Sequence, residues 1–381
     1  MSNPLLSTFC MPSSFSPSSG NRIRFLDWLR GLAAIIMLQG HTFDSFLRPE
    51  ARTGATFIFS QFFAGQAAAI FLFLTGITYA LGMNRREYLP RWRRVAAALK
   101  RARYLFLLAV MFRLQMWAFG WPNSPWTDLL KVDALNLMGA TAALLSILAV
   151  ATGFDRVRWA AVAAVTIAAA GPLISGLNVQ GIPAPLRNYF VPSPYFFSIF
   201  PWGAFLAFGV AAGSAIPFVE RGAWNRVMQW AAISGMGVLL AGQYFSNLPF
   251  SIYSNSEFWL NSPALVACKM GITLVLGSAA FLWTEYLCTG WSWVRQLGTT
   301  SLVVYWVHIE LTYGRLFKNY QGHLGVGACI AAVAVLILAM IGLSVVVTRT
   351  PWSRLRLRLS ALVRGSAVPV EADEDAAILR N

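Results

Sequence analysis

Apolar segments of about 20 residues recur along the whole sequence, and short segments rich in arginine separate them. A helix of that length is long enough to cross the hydrocarbon core of a bilayer. Of the 381 residues, 57% are hydrophobic and 12% are charged, whereas a soluble domain carries about 25% charged residues. The sequence therefore predicts an all-α fold, a polytopic transmembrane helix bundle.

Hydropathy predicts about ten spans in this bundle. Their predicted ranges are 26–46, 60–82, 103–120, 134–152, 158–176, 195–216, 226–245, 263–284, 298–316 and 324–347. An even number of spans puts both termini on one side of the membrane. Most Lys and Arg residues outside the spans then fall on that side, so the positive-inside rule predicts that both termini are cytoplasmic.

Two polar segments flank the predicted membrane domain, which covers residues 22–350. Residues 1–21 are rich in Ser and Pro and lack the regions of a cleaved signal peptide, so we expect a disordered lead. Residues 351–381 are first basic and then acidic, and predict a cytoplasmic tail. The net charge of +15 does not favour nucleic acid as a partner, because the basic residues lie in short blocks between spans. We expect a multi-pass protein of the plasma (inner) membrane, surrounded by lipids.

The first predicted span, LDWLRGLAAIIMLQGH, carries ionisable groups at both ends. Such groups inside a membrane are costly and are functional hypotheses by default. Asp27 and Arg30 lie one helical turn apart at the inner end, where they either anchor the helix as an ion pair or bind a donor. His41 lies about 21 Å further along the axis, where it is either a hydrated interfacial residue or a catalytic one. Asp44, one turn beyond, could orient its imidazole.

The ninth predicted span contains a second histidine, in the stretch YWVHIELTYG. His308 lies about 15 Å into this span, and Tyr305 and Thr312 share its helix face. A single histidine in a span can simply bond a neighbouring helix. Because His41 and His308 both fall in the outer half of the membrane, the sequence predicts that they share one polar cavity.

Further polar residues lie within or beside other spans. Asp133 and Asn136 stand at the outer start of the fourth span, Lys269 lies in the eighth and Arg113 in the third. Each of these side chains either lines the same cavity or extends its charged end to the interface. We predict that four side chains contact the substrate or line the cavity: Asp133, Asn136, Lys269 and Tyr305.

The basic segment RREYLPRWRRVAAALKRAR, residues 85–103, follows the second span. Its charge either sets the topology and contacts anionic lipids, or binds a polyphosphorylated molecule such as coenzyme A through Arg93 and Arg94. No glycine-rich phosphate loop is present, so nucleotide hydrolysis is not indicated. No cysteine lies near a histidine at ligand spacing, so we expect neither a metal site nor a permanently bound cofactor.

Five stretches together resemble a known family. RIRFLDWLRGLAAIIMLQGH resembles the opening of the transmembrane acyltransferase superfamily, and FFAGQAAAIFLFLTGITYAL resembles its second helix. DALNLMG, FFSIFPWGAFLAFGVAAG and LGTTSLVVYWVHIELTYG resemble three further signatures, in the same order. The set is most similar to bacterial relatives of the heparan-alpha-glucosaminide N-acetyltransferase catalytic domain, and it spans residues 22 to 347.

This resemblance implies transfer of an acyl group, most simply acetyl, from cytosolic acyl-CoA to a sugar or glycan acceptor on the outer side. His41 would be the catalytic base or the acyl carrier, and Asp27 and Arg30 match the first-helix motif of the family. The lysosomal heparan-type enzymes place their catalytic histidine in the loop after helix one. No histidine occurs here between Thr42 and Gln66, so the heparan-specific mechanism is not carried over.

The expected mechanism uses His41, oriented by Asp44 or another carboxylate, as the base, and either His308 or Tyr305 to stabilise the oxyanion. An acyl-imidazole intermediate stays open. A second hypothesis is a transporter or flippase for a glycan or lipid-linked precursor, in which buried His and Asp couple to protons. A third is a non-catalytic member that scaffolds a cell-envelope complex. Whether the chain forms a homo-oligomer is left open.

Overall fold

The structure is a computed structural model that describes residues 23–350 except 178, 180 and 289. Its α-helices are α1 (Arg24–Phe46), α2 (Ala55–Asn84), α3 (Arg91–Gly120), α4 (Ala134–Leu145), α5 (Gly153–Ser175), α6 (Ala184–Phe190), α7 (Ile199–Ala215), α8 (Trp224–Ser246), α9 (Pro263–Leu282), α10 (Trp293–Thr299), α11 (Ser301–Tyr313) and α12 (Val326–Arg349). The all-α prediction is confirmed for the described part of the chain. The predicted lead, 1–21, and tail, 351–381, lie outside the described residues.

Short helical turns complete the chain between these helices. They are the 3-10 turns Pro49–Ala51, Trp126–Leu130, Ser146–Val150, Ile216–Phe218, Arg221–Ala223 and Lys318–Tyr320, and the π-turn Trp283–Leu287 that extends α9. We call the end of the bundle where α1 begins the inner end, and the opposite end the outer end. The helices keep their backbone N–H and C=O groups bonded internally, as a membrane requires.

Six helical stretches are long and apolar enough to cross a membrane: Ala55–Asn84, Trp126–Val150, Gly153–Ser175, Ile199–Phe218, Pro263–Leu287 and Val326–Arg349. The chain is therefore a helical membrane protein. A helix overlaps each of the ten predicted segments, but the number of ten spans and the side of the termini stay predictions. One helix, α11, is only 13 residues long, or about 20 Å, which is shorter than a hydrocarbon core of about 30 Å.

Two predicted boundaries differ from the structure. The ninth segment, predicted as one span, is divided at Thr300 into α10 and α11. The segment predicted as a basic loop is helical from Arg91 onward, with Pro90 at its N-terminal cap. The reason is composition, because alanine and arginine both favour helix and proline is well tolerated at a helix start. Much of the basic segment therefore lies on the first turns of α3.

Helix α1 lies at the centre of the region that carries the ionisable groups, in contact with α2, α9, α10, α11 and α12. Glycines allow its closest approach to α10. A Cβ atom on Gly31 would overlap the carbonyl oxygen of Val294, and one on Gly298 would overlap the carbonyl oxygen of Asp27. This close approach fixes α10, and α11 directly after it, against the length of α1.

Candidate active site

His41 of α1 and His308 of α11 meet at the outer end of the bundle. The His41 Nδ1 atom lies 2.9 Å from the His308 Nε2 atom. The ring planes differ by 7° and the ring centroids are 5.2 Å apart. This centroid distance equals the sum of the N···N distance and the two ring radii, so the rings do not lie one above the other. The rings therefore lie edge to edge in one plane, the geometry that suits an N–H···N hydrogen bond.

The backbone of α11 fixes the proton positions in this pair. The Nδ1 atom of His308 lies 2.9 Å from the carbonyl oxygen of Val304. A carbonyl oxygen only accepts, so His308 Nδ1 carries the proton, and in the neutral ring its Nε2 carries a lone pair. That lone pair accepts from the Nδ1–H of His41. A neutral His41 then has its own lone pair on Nε2, where a base or a nucleophile needs it.

Neighbouring groups hold His308 in place. It is fully buried, with 0% of its surface exposed, whereas His41 is half-buried. The Thr312 hydroxyl donates to the carbonyl oxygen of His308 at 2.9 Å. Ser45 of α1 donates to the carbonyl oxygen of Thr312 at 2.5 Å, which ties the two helices together beside the pair. The Tyr305 ring meets His308 edge-on at 5.8 Å, as their shared helix face predicts.

Asp44 does not hold His41 as predicted. The His41 Nδ1 atom bonds His308 instead, and the Asp44 Oδ2 atom accepts a hydrogen bond of 2.7 Å from the Tyr313 hydroxyl. Asp44 remains within electrostatic reach of His41. The Tyr313 ring also contacts His41 edge-on at 5.6 Å. The direct-contact prediction is therefore wrong, because the carboxylate turns to a tyrosine that is distant in sequence.

Asp133 forms an ion pair between α3 and α4. Its Oδ2 atom lies 3.0 Å from Nε of Arg113, and its Oδ1 atom accepts from the N–H of Asn136 at 2.9 Å, which caps α4. Tyr305 lies within electrostatic reach of both charges, and its ring centroid is 5.2 Å from that of Phe112. The structure thus brings Tyr305 into contact with His308 and within electrostatic reach of Asp133.

Asn136 has a structural role. Its side-chain amide donates to the carbonyl oxygen of Lys131 at 2.9 Å, so it stabilises the start of α4 rather than facing a substrate. Tyr189 of α6 lies nearby, outside the spans. Burial raises the pKa of its phenol, and the negative charge of Asp133 raises that pKa further. The predicted substrate role of Asn136 has no support in these contacts.

Lys269 is the predicted cavity residue that lies on α9. It is buried, with 8% of its surface exposed, and its Nζ atom lies 5.9 Å from the ring centroid of Trp202. Gln66 donates to the carbonyl oxygen of Lys269 at 2.9 Å and to the hydroxyl of Thr273 at 2.8 Å. Gln66 and Thr273 therefore secure the backbone of α9 against α2 at the level where the lysine enters the bundle.

The predicted pair at the inner end of α1 is confirmed. The Nη1 atom of Arg30 lies 2.6 Å from Oδ1 of Asp27, and both side chains are largely buried. A buried ion pair at a helix start also suits the positive end of the helix dipole. The pair is about 21 Å from His41 along α1, so it belongs to the inner end and not to the histidine site.

Arg93 and Arg94, which the sequence groups together, lie in different environments. Arg93 is exposed, and its guanidinium stands 5.0 Å from the ring centroid of Trp92. Arg94 is buried and donates through Nη2 to the carbonyl oxygen of Val150 at 3.1 Å. Its Nε and Nη1 atoms have no hydrogen-bond partner among the described residues. Of these two arginines, Arg94 is therefore the one that offers unpaired donors inside the bundle.

Arg156 of α5, which the sequence analysis did not select, stands beside Arg94. It is 1% exposed, forms an ion pair with Glu87, and donates to the side chains of Asn84 at 2.6 Å and Ser214 at 3.2 Å. Its Nη1 atom is unpaired within residues 23–350, and Arg94 is close enough to repel it electrostatically. Two buried guanidinium groups thus lie within electrostatic reach of each other, and Glu87 forms an ion pair with that of Arg156.

A cleft of about 690 Å³ opens beside these two arginines. Its lining includes Arg91, Asp155 and Trp159, each within three residues of Arg94 or Arg156, and Val150, whose carbonyl oxygen accepts from Arg94, but neither arginine itself lines it. Arg156 had no distinguishing signal in the sequence, because its place after the fourth span made it one topogenic charge among many. Its burial depends on packing between helices that are distant in sequence.

The fold thus defines a helical membrane protein with a histidine pair at its outer end and a buried arginine pair at its inner end. A model of the family described as acyltransferase domain matches residues 23–349. The chain belongs to this family of membrane acyltransferases, as the resemblance predicted. No curated protein matches the chain. The finer likeness to heparan-alpha-glucosaminide N-acetyltransferase relatives stays a prediction.

Proposed function

We propose that this membrane acyltransferase moves an acyl group, acetyl in the simplest case, from cytosolic acyl-CoA to a hydroxyl or amine of a sugar or glycan. The acceptor stands on the outer side of the plasma (inner) membrane. The observation that carries the proposal is the chain of two hydrogen bonds that joins His41 to His308 and His308 to the carbonyl oxygen of Val304. Because His41 donates through Nδ1–H in this chain, the lone pair on its Nε2 atom stays free. The choice of donor and acceptor rests on the resemblance described above.

In direct transfer, His41 Nε2 removes the proton from the acceptor as its oxygen or nitrogen attacks the thioester carbonyl. The new C–O or C–N bond forms, the C–S bond breaks, and the departing sulfur takes the proton from His41. In the two-step route, Nε2 itself attacks the thioester carbonyl, the C–S bond breaks, and coenzyme A leaves as the thiolate, which takes up a proton. The acyl-imidazole then passes the acyl group to the acceptor, which releases its proton as the N–C bond to His41 breaks. Both routes need the same lone pair on the same nitrogen.

The positive charge that develops on His41 can be shared through its Nδ1–H with His308. His308 is then a positioning residue that fixes the tautomer of His41. Its own Nδ1–H is engaged by Val304 and its Nε2 accepts from His41, so it has no free N–H for an oxyanion. Of the two predicted oxyanion donors, Tyr305 is therefore the one we favour.

The phosphates of the acyl-CoA are proposed to bind the inner arginine pair, Arg94 and Arg156. Arg94 and Arg156 together hold three guanidinium nitrogens without a hydrogen-bond partner among the described residues, which is the donor set that a phosphate oxygen would complete. Phe112, which contacts Tyr305, is about 27 Å further along α3 than Arg94. The acyl-pantetheine arm of coenzyme A would therefore extend from the arginines into the bundle. Asp27 and Arg30 lie at the same end.

The test is release of free coenzyme A from acetyl-CoA by purified protein in the presence of a panel of sugars. We expect acceptor-dependent release by the native protein and a loss of about 10²-fold or more in His41→Ala. The matched control is His323→Ala, because His323 is exposed and its side chain bonds only the carbonyl oxygen of Gln321 among the described residues. Unchanged coenzyme A release in His41→Ala would exclude His41 as the catalytic group.

A further inference from the structure

Resting on the proposed acyl transfer, we infer that the acceptor is an anionic glycan whose carboxylate or phosphate binds the buried ammonium group of Lys269. The site consists of this ammonium, the ring of Trp202 and Gly65, whose missing side chain leaves the ammonium its place. It lies at the depth of the histidine pair, on the acceptor side of the bundle. It gives the acceptor a fixed point of attachment while its reacting group faces His41.

Lys269 is a buried cation without a protein counter-charge. Only 8% of its surface is exposed, and none of the carboxylates in the described part of the chain lies within ion-pair distance of its Nζ atom. Arg113 and Arg156 have such partners in Asp133 and Glu87, whereas Lys269 shares its lack of an ion pair within the described residues with Arg94, at the inner end. A membrane interior disfavours an isolated charge, so an anion from a ligand would complete the site.

The residues around the ammonium group of Lys269 leave space for it and favour its charge. An added Cβ atom on Gly65 of α2 would stand 2.8 Å from Nζ of Lys269, so any larger residue at Gly65 would displace the amine. On the other side, Trp202 offers its ring at 5.9 Å, a favourable neighbour for a cation. Trp202 is half-buried and packs edge-on against Phe197, with ring centroids 5.1 Å apart. Aromatic rings beside a charge are also suited to the apolar face of a sugar.

Helix geometry places Lys269 near the height of the catalytic histidine. Gly277 of α9 lies opposite Leu29 of α1, and the two helices run in opposite directions. From that level, Lys269 is about 12 Å towards the outer end and His41 is about 18 Å towards it, at 1.5 Å per residue. The two groups differ by only about 6 Å in height. An acceptor of one or two sugar units could contact both.

Contacts also connect the two sites laterally. Phe197, the neighbour of Trp202, donates its backbone N–H to the carbonyl oxygen of Val132 at 3.3 Å. The next residue, Asp133, lies within electrostatic reach of Tyr305, which packs on His308. The inner arginine pair is a separate cluster at the other end, so the donor phosphates do not compete for Lys269.

Binding can be measured apart from catalysis in the His41→Ala protein. The probes are methyl glucuronide, glucose 1-phosphate and the neutral methyl glucoside. The affinity of the protein for each probe is measured in detergent by isothermal titration calorimetry. We expect at least one anionic probe to bind about tenfold or more tightly than the neutral one, and the preferred anion identifies carboxylate or phosphate as the source. Lys269→Met should remove this preference and Lys269→Arg should keep part of it.

The control is Lys131→Met, because Lys131 is an exposed lysine with 50% of its side chain accessible and an Asp128 partner. It should leave anion binding unchanged. Equal binding of charged and neutral probes, or an anion preference that survives in Lys269→Met, would overturn the proposal. If anions bind through Lys269 but native protein transfers no acyl group to any probe, the acyl-transfer proposal fails while the anion site stands.

Discussion

His41 and His308 share one hydrogen bond, and the direction of that bond decides what His41 can do. A histidine alone in a helix has two tautomers, and only the one with a proton on Nδ1 leaves Nε2 free towards a substrate. Here the choice is made by a backbone carbonyl one turn away in α11, through the buried ring of His308. An uncharged group therefore does the work that a carboxylate does in many catalytic sites.

This chain of bonds predicts different effects for two substitutions of His308. His308→Phe removes the acceptor for His41 Nδ1–H, so we expect kcat to fall about 10²-fold while KM for the donor stays unchanged. His308→Gln can accept through its side-chain oxygen, so it should retain much of kcat. The measurement is steady-state kinetics, with thermal unfolding to verify that both variants fold. Equal losses in the two variants, or a loss confined to KM, would contradict a positioning role.

Residue positions were predictable from the sequence only where depth along a helix decides the outcome. Counting along the first and ninth segments placed His41 and His308 at similar depth, and the structure brings them together. The partner of Asp44 could not be found in this way. Its carboxylate can turn either to His41 or to another helix, and only the packing of α1 against α11 presents Tyr313 to it.

At the scale of the helix, the first turn of α3 separates two adjacent arginines. Successive residues of an α-helix differ in direction by about 100°, so Arg93 turns outward over Trp92 while Arg94 enters the bundle beside Arg156. A loop would impose no such division. Because the basic segment is helical, its charges have distinct roles that composition alone does not reveal.

This difference gives a matched pair of variants for the donor site. Arg94→Met should raise KM for acetyl-CoA by about tenfold to 100-fold, the effect of losing one charge-assisted hydrogen bond worth about 1.5–3 kcal/mol. Arg93→Met changes the same charge on the same turn and should leave KM nearly unchanged. The measurement is the initial rate of coenzyme A release at varied donor concentration. Equal effects of the two substitutions would indicate a diffuse electrostatic surface instead of a defined phosphate site.

Helix positions were largely predictable, and helix contacts were not. Apolar runs of sufficient length located a helix at each predicted segment, because length and hydropathy are local properties. Arg156 looked like any other basic residue at a helix start. Its burial arises because α5 packs on α7 and meets the end of α2, and a single sequence carries no record of that neighbourhood.

At the scale of the whole molecule, the two ends of the bundle carry different chemistry. The inner end holds buried arginines with unpaired donors, and the outer end holds the histidine pair and a buried lysine. Apolar helices lie between them. A protein that receives a group on one side of a membrane and delivers it on the other needs this polarity, and an enzyme that works on one face of the membrane does not.

Transfer across the membrane is therefore the most direct test. The protein would be reconstituted in sealed liposomes that enclose the acceptor, and acetyl-CoA with a labelled acetyl group would be added outside only. Protease digestion from outside would determine the fraction of protein molecules in each orientation. We predict labelled acceptor in the lumen, with free coenzyme A released outside, and loss of both in His41→Ala. Labelling of acceptor only when it shares the compartment of the donor, or labelling that persists in His41→Ala, would contradict transfer through the histidine pair.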